Sequence, residues 1–156
     1  MNQEGHQYKT TSKIKLFRWL RNQTEATFPN PFIVGMSCCS LSFYNFFREN
    51  KLMNNDFLDS PERSQILIVG GSLTPIQVEK IKRVYKRMPD EKWVVAFGAC
   101  ACAQGPYESY NVLGALDNFI DVDIYIPGCP PQPDKIEKGF SELTQMIKRG
   151  KDSLHV

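Results

Sequence analysis

Trp93-Val-Val-Ala-Phe-Gly-Ala-Cys100 is a short, uninterrupted apolar run that closes on a glycine and then a thiol. It is too brief for a stable helix and has no polar alternation, so it predicts a strand covered on both faces, as in a parallel sheet. The same pattern recurs twice. Pro31-Phe-Ile-Val-Gly-Met-Ser37 runs into Cys38 and Cys39, and Asp123-Ile-Tyr-Ile-Pro-Gly128 runs into Cys129. In open α/β sheets, ligands bind at the carboxyl ends of the strands, where these thiols fall. Four thiolates meeting at one point most naturally hold an iron–sulfur cluster or zinc.

Working outward, Gln65-Ile-Leu-Ile-Val-Gly-Gly71 reads as a further buried strand. Thr74 and Pro75 supply an N-cap and a first-turn proline for a helix running to about Met88. Ser40 to Lys51 is expected to be helical, with Leu41, Tyr44, Phe47 and Phe43 toward its apolar side. Tyr107 to Phe119 is a helix or an irregular segment. Pro133 opens a last helix to about Arg149, with Ile136, Phe140, Leu143 and Ile147 on one face. The β-α-β-α alternation implies a doubly wound, mostly parallel sheet of about four strands.

The chain has 156 residues, which fits one domain with a substantial core. Residues 1–12 read as a flexible tail, 13–150 as the α/β domain and 151–156 as a second tail. Ser12 to Arg21 interleaves Ile14, Leu16, Phe17, Trp19 and Leu20 with Lys13, Lys15, Arg18 and Arg21. That is a basic amphipathic helix, suited to a membrane surface, a partner, or its own domain. The net charge of +2 and the lack of any like-charge run argue against nucleic acid. No stretch approaches the roughly 20 apolar residues of a membrane-spanning helix, and the N-terminus does not resemble a signal peptide. A cytoplasmic location follows as the expectation. There, five cysteines point to metal or redox chemistry rather than disulfides.

Adjacent side chains on an extended chain point to opposite faces, so Cys38 and Cys39 can share a metal centre only if the backbone turns sharply, which Gly35 would ease. In Gly128-Cys129-Pro130-Pro131 the prolines stiffen the loop that carries the thiol. Gly98-Ala-Cys-Ala-Cys102 offers two candidates, one to bind and one to pack. Structural zinc sites generally use Cys-x-x-Cys pairs, absent here, so the dispersed spacing favours a cluster. Val69-Gly-Gly-Ser-Leu73 lacks the glycine pattern and lysine of nucleotide loops, and is better read as letting strand and helix pack closely. His6 and His155 lie near the termini, and nothing resembles a nucleophile–base pair.

With Cys38-Cys39, Gly98-Ala-Cys100 and Ile126-Pro-Gly-Cys-Pro-Pro131 in this order, the chain resembles the cluster-bearing B-type subunit of respiratory complex I, the NADH:quinone oxidoreductase, over roughly residues 13 to 148. It is similar also around Leu67-Ile-Val-Gly-Gly-Ser-Leu-Thr74 and Tyr85-Lys-Arg-Met-Pro-Asp-Glu-Lys-Trp93. The resemblance implies a flavodoxin-like three-layer fold and one [4Fe-4S] cluster on Cys38, Cys39, Cys100 and Cys129, with Cys102 spare. It implies electron delivery from a ferredoxin-like cluster subunit and transfer to quinone at a larger quinone-site subunit. Ion translocation would then occur in membrane subunits, with this chain peripheral on the cytoplasmic face of the membrane. Met36, Phe43, Tyr44, Phe46 and Phe47 are candidates for the quinone side. The Tyr44 hydroxyl and the amides near Ser37 and Ala101 are candidates for tuning the cluster.

The chain departs from the family pattern beside the thiols. Ser42, Phe43 and Tyr44 stand where the family carries an acidic residue and then methionines, and no Arg-Phe-Gly lies between Asn50 and Ser64. Gln104-Gly105 replaces a frequent Gly-Gly, and Gln132 replaces an arginine. The ligand set is complete while the acceptor side has diverged. Two alternatives stay open: the small subunit of a membrane-bound, energy-converting nickel–iron hydrogenase, and a zinc-stabilised docking module without redox activity.

Overall fold

The computed structural model describes residues 31–35, 37–49, 60–106 and 109–149. The proposed amphipathic helix at 12–21 and both tails lie outside them, as does Met36. Four strands, β1 (Pro31–Gly35), β2 (Ile66–Gly70), β3 (Trp93–Phe97) and β4 (Ile124–Ile126), form one sheet in the order β1-β2-β3-β4. Every pairing is parallel, with Gly35 opposite Gly70 and Gly70 opposite Phe97. The strand order does not reverse, so thiols gather along a row of strand ends rather than in a switch-point crevice.

Four helices cover the two faces: α1 (Ser37–Glu49), α2 (Pro75–Arg87), α3 (Ala99–Ala103) and α4 (Pro133–Arg149). Period-2 alternation sorts the side chains of the inner strands. Ile66, Ile68, Val95 and Phe97 pack with Phe43 and Phe46 of α1 and with Ile136, Phe140 and Leu143 of α4. Leu67, Val69, Val94 and Ala96 pack with Val78 and Ile81 of α2, and with Leu116 and Ile120 beyond α3. The result is the expected three-layer α/β fold. β2 and β3 are buried at every position, which is why they read as unbroken apolar runs. β4 lies at the edge and exposes Tyr125.

Local chemistry sets the helix ends. The Thr74 amide donates to Gln77 Oε1 at 2.9 Å and Pro75 opens α2, as the sequence predicts. Lys92 Nζ donates to Tyr85 O at 3.0 Å and lies 4.3 Å from the Tyr85 ring centroid, pinning the far end. At the site end, Phe43 lies 5.4 Å from Phe97 in an edge-to-face pair and 6.4 Å from Phe140, locking α1 onto β3 and α4. Among the described residues, no helix is long and apolar enough to cross a membrane.

Candidate metal centre

The tandem thiols lie at a helix start. Ser37 takes a left-handed conformation (φ 60°), and α1 begins at once, three residues before the start expected from sequence. Cys38 and Cys39 therefore sit in the first helical turn, not on a strand. Successive side chains are about 100° apart there, and the two thiols differ in exposure: Cys39 is 2% exposed while Cys38 is exposed. The sharp bend falls at Ser37. Gly35 instead makes room for the helix, since a Cβ there would lie 2.7 Å from Ser40 Cβ.

That contact is the first of three. A Cβ on Gly70 would lie 3.3 Å from Cys39 Cβ, and one on Gly98 would collide with Cys39 Sγ. Glycines at the ends of β1 and β2 and in the turn just after β3 thus form a shelf on which the first turn of α1 rests. The neighbouring loops are clamped together by backbone bonds: Gly98 N–H donates to Ile126 O at 2.8 Å, and Ala99 N–H to Gly128 O at 2.7 Å. These bonds tie the Cys100 turn to the Cys129 loop. Ser42 Oγ, 3.5 Å from Pro131 O, links α1 to the same loop, and the Cys129–Pro130 peptide is cis. Cys100 is buried at 6% exposure near the start of α3, and Cys129 is exposed.

The electrostatics of Cys39 report this convergence. Burial pushes its thiol up to about 12, the charge and hydrogen bond of Cys38 add to this, and the charges of Cys100 and Cys129 add further. The buried Cys39 thiol, repelled by the charges of three neighbouring cysteines, holds its proton until a cation displaces it, as suits a metal-binding position. Soft sulfur donors fit iron–sulfur clusters and zinc alike. Among the described residues, no three His, Cys, Asp or Glu side chains close around a single-ion position. A cluster is larger than one ion and accepts ligands spaced farther apart.

Cys102 faces the other way. Its Sγ donates to Ala96 O at 3.3 Å, and the side chain packs with the layer that holds α2. Burial raises its thiol to about 11 and Asp117 adds to the shift, against a hydrogen bond at Ile126 that lowers it. None of the other cysteines contributes. Tyr125 completes this corner by donating its hydroxyl to Asp117 Oδ2 at 3.2 Å.

Of the quinone-side candidates, Phe43 (2% exposed) and Phe46 (5%) lie in the core between α1 and the sheet. Tyr44 is exposed on α1, as is Leu41, which sequence reasoning did not single out for that side. Met36 and the Phe47 side chain lie outside the described residues. Sequence reasoning also missed the close approach of Gly98 to the Cys39 thiol and of Gly105 to the Cys100 thiol. The only signal of it in the sequence is their adjacency to the cysteine motifs.

Residues 30–143 match the family described as NADH ubiquinone oxidoreductase, 20 Kd subunit. The chain belongs to that family. It is 40% identical over 147 residues to the B-type NADH-quinone oxidoreductase subunit of Pelobacter propionicus, covering 90% of this chain and 86% of that one. It is 36% identical over 149 residues to the B-type subunit of Rubrobacter xylanophilus, covering 90% of this chain but 56% of that longer relative. Among solved structures it is similar to a chain of the membrane-bound sulfane sulfur reductase, an archaeal respiratory membrane complex. The TM-score is 0.67 at 28% identity, over 87% of this chain and 77% of that one. These relatives are subunits of NADH-quinone oxidoreductases, and the α/β framework seen here is shared with a chain of a respiratory membrane complex.

Proposed function

We propose that this chain is the electron-transfer subunit of a membrane-associated, complex I-like NADH:quinone oxidoreductase, with one [4Fe-4S] cluster held by Cys38, Cys39, Cys100 and Cys129. The observation that carries the proposal is the common environment of those four thiols, from which Cys102 is turned away. Bound there, the cluster supplies one-electron transfer between a donor subunit and quinone. The chain's own residues orient and shield. The glycine shelf seats Cys39, the bonds at Gly98 and Ala99 fix the distance between two ligand loops, and Phe43 holds α1 over the sheet. Cys39 and Cys100 enclose the buried side, while Cys38 and Cys129 face the side open to a partner. Exposed Leu41 and Tyr44 beside them suit docking of the larger quinone-site subunit. The chain binds peripherally at the cytoplasmic face, and other subunits carry the ion pathway.

A second reading keeps the cluster and changes the acceptor. It is favoured by Ser42, Phe43 and Tyr44, which replace the acidic and methionine positions of the family pattern, and by the likeness to a chain of the sulfane sulfur reductase. Purifying the intact complex, measuring iron, nickel and zinc, and assaying NADH oxidation with quinone and with polysulfide as acceptors tests both. Iron without nickel, together with quinone reduction, is the expected result. Polysulfide turnover without quinone turnover would favour the second reading, and nickel would favour the hydrogenase. Zinc without iron would end the cluster proposal.

A further inference from the structure

We propose that Gly98 and Gly105 are positioning residues for the metal centre, each leaving the space into which one buried ligand sulfur settles: Gly98 for Cys39, and Gly105 for Cys100. The inference rests on the cluster reading above and concerns how this chain fixes two of its four sulfurs. A Cβ on Gly98 would collide with Cys39 Sγ, and Gly128 O lies 3.5 Å away on another side of the same space. A Cβ on Gly105 would lie 2.7 Å from Cys100 Sγ and 3.1 Å from Cys100 Cα. Gln104 is left-handed (φ 66°), and this turn folds Gly105 back onto the helix it has just left.

The two glycines serve the two buried thiols. Exposed side chains such as Cys38 and Cys129 can change rotamer to meet a bound metal, whereas Cys39 and Cys100 are confined by what packs on them. Nor can α1 retreat to relieve a larger residue at position 98. Phe43, packed edge-to-face on Phe97 and against Phe140, holds it to the sheet. The added methyl must therefore be met by rotation of Cys39 Sγ. At position 105 the Cys100 backbone is itself in the way, so the loop must lift off the thiol.

Both glycines also have positive φ, +86° and +69°, so alanine there adds backbone strain as well as a methyl. Gly114 separates the two effects. Its φ is +93°, but a Cβ there would meet Asn118 Nδ2 at 3.1 Å and Gln104 Oε1 at 3.8 Å, and no sulfur. Cys102 serves as an internal reporter of folding, because it is half-buried on the opposite face.

The test uses the purified full complex carrying Gly98→Ala, Gly105→Ala or Gly114→Ala. Bound iron, low-temperature paramagnetic resonance after dithionite, the midpoint potential of any retained cluster, and alkylation of Cys102 before and after denaturation are measured. The expected result is loss of this cluster's signal, or a shifted g-tensor and potential, in Gly98→Ala and Gly105→Ala. Cys102 stays protected in both, and Gly114→Ala keeps the wild-type spectrum. A wild-type spectrum and potential in Gly98→Ala and Gly105→Ala would overturn the inference. So would an equal spectral change in Gly114→Ala, or exposure of Cys102 alongside cluster loss, since either makes the effect general destabilisation. A wild-type complex without the cluster signal would sink the cluster reading itself, and this inference with it.

Discussion

Cys39, buried, and Cys102, half-buried, both have thiols pushed well above the usual range and lie on opposite faces of one sheet. Burial is the largest cause in each case. The difference lies in what comes next: three other thiols around Cys39, and Asp117 with a carbonyl partner for Cys102. A buried cysteine with a hydrogen-bond acceptor is satisfied as a small core residue. One crowded by other thiols is not, until a metal cation displaces its proton to solvent. Environment, more than burial, distinguishes these two thiols.

The comparison can be broken most directly by removing thiols one at a time. Serine at position 38, 39, 100 or 129 is expected to abolish the cluster in the assembled complex, while Cys102→Ser leaves iron content unchanged; metal analysis of the five variants checks this.

Next in size is Phe43→Ala, which empties the aromatic contact between α1, Phe97 and Phe140. It should cost about 3–5 kcal/mol. Because α1 carries Cys39 and not Cys102, thiol alkylation should rise at Cys39 more than at Cys102, and a denaturant titration reads the stability loss.

Smaller is the alkaline response of Cys102. Its folded thiol titrates at about 11, above the ordinary 9.0, so the folded state keeps a proton that the unfolded state releases. The contribution to stability is therefore full below pH 9 and is lost as pH rises toward 11. Wild type should lose more stability across that window than Cys102→Ala, and denaturation at pH 8 and pH 11 measures the difference. The smallest effect belongs to Tyr125→Phe, which removes an exposed bond to Asp117. It should change stability by no more than about 0.5 kcal/mol and leave the cluster spectrum unaltered.

The framework was legible because each layer carries its own signal. Unbroken apolar runs gave β2 and β3, the Thr74-Pro75 pair gave the start of α2, and the spacing of Ile136, Phe140 and Leu143 gave the buried face of α4. Family membership was legible in the order of the cysteine motifs. What was hidden depends on neighbours distant in sequence. The start of α1 at Ser37 rests on a left-handed residue and on glycines of β2 and of the turn after β3, so the serine at position 40 looked like the better beginning. α3 spans Ala99–Ala103, too short to show a helical period. The apolar character of Phe43 and Phe46 is compatible with a pocket wall but fits core packing better, and in the folded chain both lie in the core with the sheet and α4.

The most direct test of the central claim is low-temperature paramagnetic resonance of the dithionite-reduced complex in wild type, Cys39→Ser and Cys102→Ser. A [4Fe-4S] signal present in wild type and Cys102→Ser but absent in Cys39→Ser is the predicted result. Equal loss in Cys102→Ser, or retention in Cys39→Ser, would contradict the proposed assignment of Cys38, Cys39, Cys100 and Cys129 as the cluster ligands.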